Sequence, residues 1–279
     1  MPGATLYLAK LRGLPHPSDD AIIQFLKDLV AAGESLVWAA RVRQPVVPCF
    51  RIDVDALINT AYDVAFLVLG GPGLPDALSA RLESLYSVHA GVPSRVLKAY
   101  PSTNQRIQLA AKSHPRPLPF NPASFQVSLS SDSRNLQVSH ALLDYARRLT
   151  ASGYTGSVSQ INLLAFTGDK DAKASYHCYG QGFVEHGGKH GGNAKIVGNV
   201  VAPEAGRKDS RPVRAQKWWD EVAIAHYPTI DHFVDMAADP AYQKINAEFR
   251  LPALFDTTII STTDFDLVAL GLSDGTWKI

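Results

Sequence analysis

The chain opens with a short apolar run over residues 5–11, closed by Gly13-Leu14-Pro15-His16-Pro17-Ser18. That run predicts a strand, because the prolines after it cannot extend it and Ser18 suits the cap of a helix. Ile22, Phe25, Leu26, Leu29 and Val30 then recur at helical spacing, with Asp19 and Asp20 in the first turn and Gly33 at the end. An acidic first turn complements the helix dipole. Strands are predicted over residues 35–43 and 63–69, a second helix over 75–86 and a returning strand over 94–100. The order is β-α-β-β-α-β.

Residues 101–122 carry prolines at 101, 115, 117, 119 and 122 with little periodicity, so they predict a linker. A helix over 138–150 (Leu142, Leu143, Tyr145, Ala146, Leu149) braces the junction. The first order then returns: strand 159–166, helix 171–186, strands 195–201 and 219–227, helix 229–237 continuing through 242–250, and a β-branched strand 257–263. A repeat of this kind predicts one half over 1–105, a linker with its bracing helix over 106–157, and a second half over 158–279. In each half the helices cover one sheet face, and the other half is expected to cover the remaining face.

The second half resembles the dimeric α/β-barrel superfamily, and within it a small group known by a domain-of-unknown-function label. The residues that carry the resemblance are His186-Gly187-Gly188, the strand Trp219 to His226, its exit Tyr227-Pro228-Thr229, and Asp239-Pro240-Ala241-Tyr242-Gln243 followed by Arg250. The first half is similar only through its element order and stretches such as Asp63 to Val68. The resemblance implies an α+β fold of two tandem ferredoxin-like halves, packed as an intramolecular version of the dimeric barrel. It also implies a range of activities: polyketide cyclases, isomerases, dehydratases, cofactor-independent oxygenases and haem enzymes. A fold shared so widely does not select one chemistry.

Composition narrows the classes. A formal charge of +1 offers no electrostatic basis for nucleic acid or anionic membrane as a partner. Cys49 and Cys178 are the only cysteines, far apart, which predicts a reducing compartment and no disulfide framework. No signal-like start and no membrane-length apolar run occur, so a cytoplasmic protein is expected, as monomer or homodimer.

Candidate chemistry comes from comparing the halves. Aligning the helix ends sets His186 opposite Ala32, and aligning residues 63–68 with 221–226 sets His226 opposite Val68. Imidazole in place of an aliphatic side chain calls for a partner or a function, since an unpaired buried polar group costs about 1–3 kcal/mol. On the helix, Ala172, Tyr176, Tyr179, Phe183 and His186 form one stripe. His226 shares a strand face with Val222 and Ile224. If that face lies under the helix, both imidazoles line one space, walled by Tyr176, Tyr179, Phe183, Trp219, Ile224 and Tyr242. His186 and His226 are then the catalytic acid–base candidates, and Tyr176 and Tyr242 the hydrogen-bond donors to a developing enolate. The bland alternatives are a helix-end charge for His186, a solvated His226, and packing for the tyrosines.

A basic run, Arg207, Lys208, Arg211, Arg214 and Lys217, reads either as solvated loop or as a flap holding an anionic substrate group through Arg214. His177, His186 and His190 lack the spacing of a metal site, and no dinucleotide, P-loop or hydrolase-elbow motif occurs. No metal or cofactor is therefore expected. The leading expectation is acid–base cyclisation, dehydration or isomerisation of a small, apolar or aromatic, polyketide-like substrate in secondary metabolism. The alternatives are a cofactor-free monooxygenase, a ligand carrier and a haem enzyme.

Overall fold

The computed structural model describes residues 2–117, 129–201, 218–273 and 277. Eight strands, antiparallel at every pairing, close into one barrel flanked by helices, a mixed α+β architecture. In chain order the strands are β1 (Gly3–Leu11), β2 (Leu36–Val47), β3 (Val64–Leu69), β4 (Leu82–Gly91), β5 (Val158–Phe166), β6 (Asn193–Val200), β7 (Glu221–Tyr227) and β8 (Leu254–Asp264). Around the barrel they run β1-β3-β2-β8-β5-β7-β6-β4. The first four therefore lie in the order β4-β1-β3-β2 and the last four in the order β8-β5-β7-β6, the same pattern twice. The seams differ. β2 and β8 pair from Ala40↔Asp264 to Val47↔Ile259, whereas β4 and β6 meet only at Ala90↔Val200 and Gly91↔Asn199.

Alternation along the strands sorts the core into layers. Leu6, Leu8, Ala65, Leu67, Ile161, Leu163, Val222, Ile224 and Ile260 point into the barrel and pack together. Tyr7, Val64, Phe66 and Val68 point outward beneath helix α1 (Asp19–Ala31). Ser18 caps α1 as expected, accepting from the Ala21 N–H at 3.2 Å. The barrel ends are plugged. Segment 49–62, with the short helix α2 (Val54–Ile58), fills one end, held where the buried Asp256 carboxylate accepts the N–H groups of Phe50, Arg51 and Ile52. Helix α4 (Ser94–Ser113) fills the other with Leu97 and Tyr100.

Several expectations are corrected. Residues 75–86 hold only a short helix, α3 (Asp76–Ser79), before β4 begins, because β1 needs a full-length partner on its open side. Residues 94–100 form the start of α4 rather than a strand, and α4 runs through Pro101 and across position 105. Proline inside a helix costs about 3 kcal/mol. Burial of Leu97, Tyr100 and Ile107 on one face of α4 offsets that cost. The rest of the expected linker includes residues 118–128, which lie outside the described residues.

In the second half, α5 (His140–Ala151), α6 (Ala172–Lys189), α7 (Ile230–Ala238) and α8 (Pro240–Ile245) cover the outer face of β5, β7 and β8. A π-helical turn, Asn246–Arg250, follows α8. Gly187-Gly188 does not end α6. The helix continues to Lys189, and the left-handed residue that stops it is Gly191, at φ 73°. Among the described residues no helix is long and apolar enough to cross a membrane.

Candidate active site

β7 decides where the site lies. Its interior positions are Val222, Ile224 and His226, and its helix-facing positions are Glu221, Ala223, Ala225 and Tyr227. His226 therefore points into the barrel, away from α6. The alignment of His226 with Val68 is off by one residue, since Val68 faces α1, and in a strand a slip of one exchanges the two faces. His186 and His226 consequently lie on opposite sides of the sheet and share no space.

On the helix-facing side, the Tyr176, Tyr179 and Phe183 stripe of α6 lies over small residues, Ala223 and Ala225 of β7 and Ala194 of β6, leaving a cavity of about 330 Å³. Glycine at 187 makes room for the Phe183 ring of the preceding turn, which a Cβ there would meet at 2.6 Å. Tyr176, Tyr179, Phe183 and Tyr242, expected from sequence, all line the cavity. The Tyr179 and Tyr242 hydroxyls are hydrogen-bonded at 2.7 Å. Tyr176 packs edge-on against Phe166 at 5.2 Å. His186, Trp219 and Ile224 are not among the lining residues. Trp219 and Ile224 belong to the barrel interior, where the Trp219 indole N–H donates to the Tyr86 hydroxyl at 2.8 Å. His186 sits in the last turn of α6 with its Nδ1 buried and unpartnered among the described residues. Arg214 and its basic neighbours fall in residues 202–217, outside the described residues.

Sequence reasoning missed two polar residues of the cavity wall, Glu221 and Gln160, and a buried cation that is not among the lining residues, Arg250. Glu221 lies on the cavity wall, and burial raises its carboxyl to about 7, against a smaller lowering by the Lys173 ammonium and a further rise from Asp220. Gln160, 1% exposed, donates its Nε2 to Ser261 Oγ at 3.2 Å and leaves Oε1 without a partner among the described residues. Arg250, in the π-helical turn, is also 1% exposed. Its Nη2 donates to Thr257 Oγ1 at 3.3 Å and its Nη1 has no partner among the described residues.

The guanidinium acts on the phenols nearby. Burial raises the Tyr176 hydroxyl well above the ordinary phenol value and the Tyr179 hydroxyl above it, and the positive charge of Arg250 pulls both back in part. One signal for Glu221 was present in the sequence, its strand parity with Ala223 and Ala225. Both faces of β7 are apolar, so alternation alone could not tell which lies under the helix.

Three other histidines differ in their surroundings. His190 places Nδ1 2.7 Å from Asp235 and Nε2 3.1 Å from Asp239. His177 lies at the cavity rim, its Nε2 3.3 Å from Gln181 Nε2. His226 is 1% exposed, and neither of its ring nitrogens has a partner among the described residues. Burial, aided by the Lys195 ammonium, lowers its pKa to about 4.

No family model matches the chain. No curated protein matches it either. Among solved structures, a Rhodopseudomonas palustris protein of unknown function is similar at 24% identity, over 43% of this chain and 91% of that one, with a TM-score of 0.34. A Lactobacillus acidophilus protein provisionally named a monooxygenase is similar at 7% identity over 94% of this chain and 93% of its own, with a TM-score of 0.44. A Fusobacterium nucleatum protein with the same provisional name is similar at 6% identity over 94% and 92%, also with a TM-score of 0.44.

Proposed function

We propose that the chain is a small-molecule enzyme of the dimeric α/β-barrel kind, cyclising, dehydrating or isomerising an enolisable, polyketide-like substrate in the cavity beneath α6 without a cofactor. The repeated strand order supports reading the chain as two ferredoxin-like units, residues 1–105 and 158–279, joined by 106–157. The observation that carries the activity is a carboxyl near neutrality, Glu221, in the same aromatic cavity as the Tyr176 hydroxyl. Neither His186 nor His226 lines that cavity, and His177 lies at its rim beside Gln181, so Glu221 takes the role of base.

The Glu221 carboxylate removes a proton from the carbon next to a carbonyl. Tyr176, whose acidity Arg250 restores in part against burial, hydrogen-bonds the enolate oxygen that forms. The protonated Glu221 returns its proton when the enolate collapses. A base with a pKa near the working pH suits both steps. The Tyr179–Tyr242 pair and the Gln160 amide orient the substrate.

The test is deuterium exchange at the α carbon of 2-tetralone, a flat enolisable ketone, followed by NMR. The protein should accelerate exchange, and Glu221→Gln should slow the catalysed rate by at least about a hundredfold with folding unchanged. No acceleration by the native protein, or equal rates in the variant, would overturn the proposal.

A further inference from the structure

The barrel end closed by α4 opens into a larger cavity of about 750 Å³ that shares no lining residue with the one beneath α6. Its walls include the rings of Trp38, Tyr100, Tyr154 and Trp277, and the Tyr100 and Trp277 ring centres are 6.3 Å apart at 34°. Rings disposed in this way accept a flat aromatic molecule.

The charges on the floor are already matched. The Asp264 carboxylate receives the Lys195 ammonium, the Ser159 hydroxyl at 3.0 Å and the Trp38 indole N–H at 3.2 Å. Lys195 reaches it across the interior from a bulge in β6, and its side chain is fully buried. Neither charge of that pair is left without a counterpart, and the other two charged lining residues, Lys112 and Asp266, are of opposite sign, so the cavity carries no net charge that calls for an ionic ligand.

Among the described residues of the wall, one buried polar atom lacks a partner. Tyr100, Asn104 and Gln108 step by four along α4 and face the cavity together. The Gln108 Oε1 accepts the Ser157 hydroxyl at 2.8 Å. The Asn104 Oδ1, in contrast, is buried and has no partner among the described residues. A buried acceptor is destabilising unless a donor reaches it. A primary carboxamide presents an acceptor beside a donor, and the group complementary to it is an N–H beside a C=O.

We propose that this barrel-end cavity is a second binding site, for a neutral, planar heteroaromatic with a lactam edge that pairs with the Asn104 amide and lies against Tyr100 and Trp277. It stands independently of the activity assigned to the cavity beneath α6.

Calorimetric titration of the full chain with quinolin-2(1H)-one and with its N-methyl analogue, which lacks the N–H donor, tests the site. The parent lactam should bind one to one and at least about tenfold tighter than the N-methyl compound. Asn104→Leu should reduce that preference to below about twofold, and Trp277→Ala should weaken both compounds alike. Asn104→Asp, close in shape, serves if the leucine variant does not fold, and it should bind the parent more weakly because the carboxylate offers no donor to the lactam carbonyl. Glu221→Gln should leave both affinities unchanged. Absence of binding by the native protein, equal affinities for the two compounds, or binding altered by Glu221→Gln but not by the Asn104 variants would overturn the assignment.

Discussion

Replacing Glu221 by glutamine removes a charge and keeps the shape, so stability can test the site before any substrate is known. Burial moves this carboxyl from an ordinary value of 4.5 to about 7. Each tenfold change in an acid constant corresponds to about 1.4 kcal/mol. After allowance for the solvent that still reaches a partly buried side chain, the buried carboxylate costs the fold about 2–3 kcal/mol. The sign follows from which state holds the proton. Below about pH 4.5 both folded and unfolded chains are protonated, and nothing is lost. Between about 4.5 and about 7 the unfolded chain ionises first, so native stability falls as pH rises. Above about 7 the whole cost is present, and Glu221→Gln escapes it. Urea unfolding at about pH 9 should therefore find the variant about 2–3 kcal/mol more stable than the native chain, the gap closing toward zero by about pH 4. A gap that does not change with pH, or a variant less stable in base, would show that the carboxyl is not held against its ionisation and would remove the basis for its role as a base.

The barrel interior supports two further expectations. His226 is held down to about 4 by burial, so the stability it allows is present above about pH 6.5 and is lost as pH falls toward 4. His226→Leu should exceed the native chain by about 1–3 kcal/mol at about pH 8, where it relieves only the unpaired nitrogens, and by about 3 kcal/mol more near pH 4 in urea unfolding, and equal acid sensitivity in both would refute this. Asp264→Ala leaves the fully buried Lys195 ammonium without its counter-charge and should cost about 3–5 kcal/mol. The double change Lys195→Met with Asp264→Leu should recover most of that loss, and a double variant as unstable as the summed singles would argue against the pair.

Much of the secondary structure was legible because local patterns specify it. The Ser18 cap, the apolar stripe of α1 and the Leu142 to Leu149 stripe of α5 each state a helix without help from the rest of the chain. α4 and β4 were not legible, since tertiary contacts outweigh their local signals. Pro101 argues for a break, yet burial of Leu97 and Tyr100 in the barrel end keeps the helix intact. The candidate site divides in the same way. The Tyr176, Tyr179 and Phe183 stripe was readable from its spacing, and Tyr242 from the turn that carries it.

By itself, then, the chain's pattern determined the elements whose local signals agree with their place in the fold, which helix face is aromatic, and that one element order occurs twice. Tertiary structure alone decided which face of β7 lies beneath α6, and with it that Glu221 rather than His226 meets the aromatic stripe. The reason is geometric. A strand apolar on both faces carries no mark of which side a helix will cover, and a step of one residue moves a side chain from the cavity to the barrel interior.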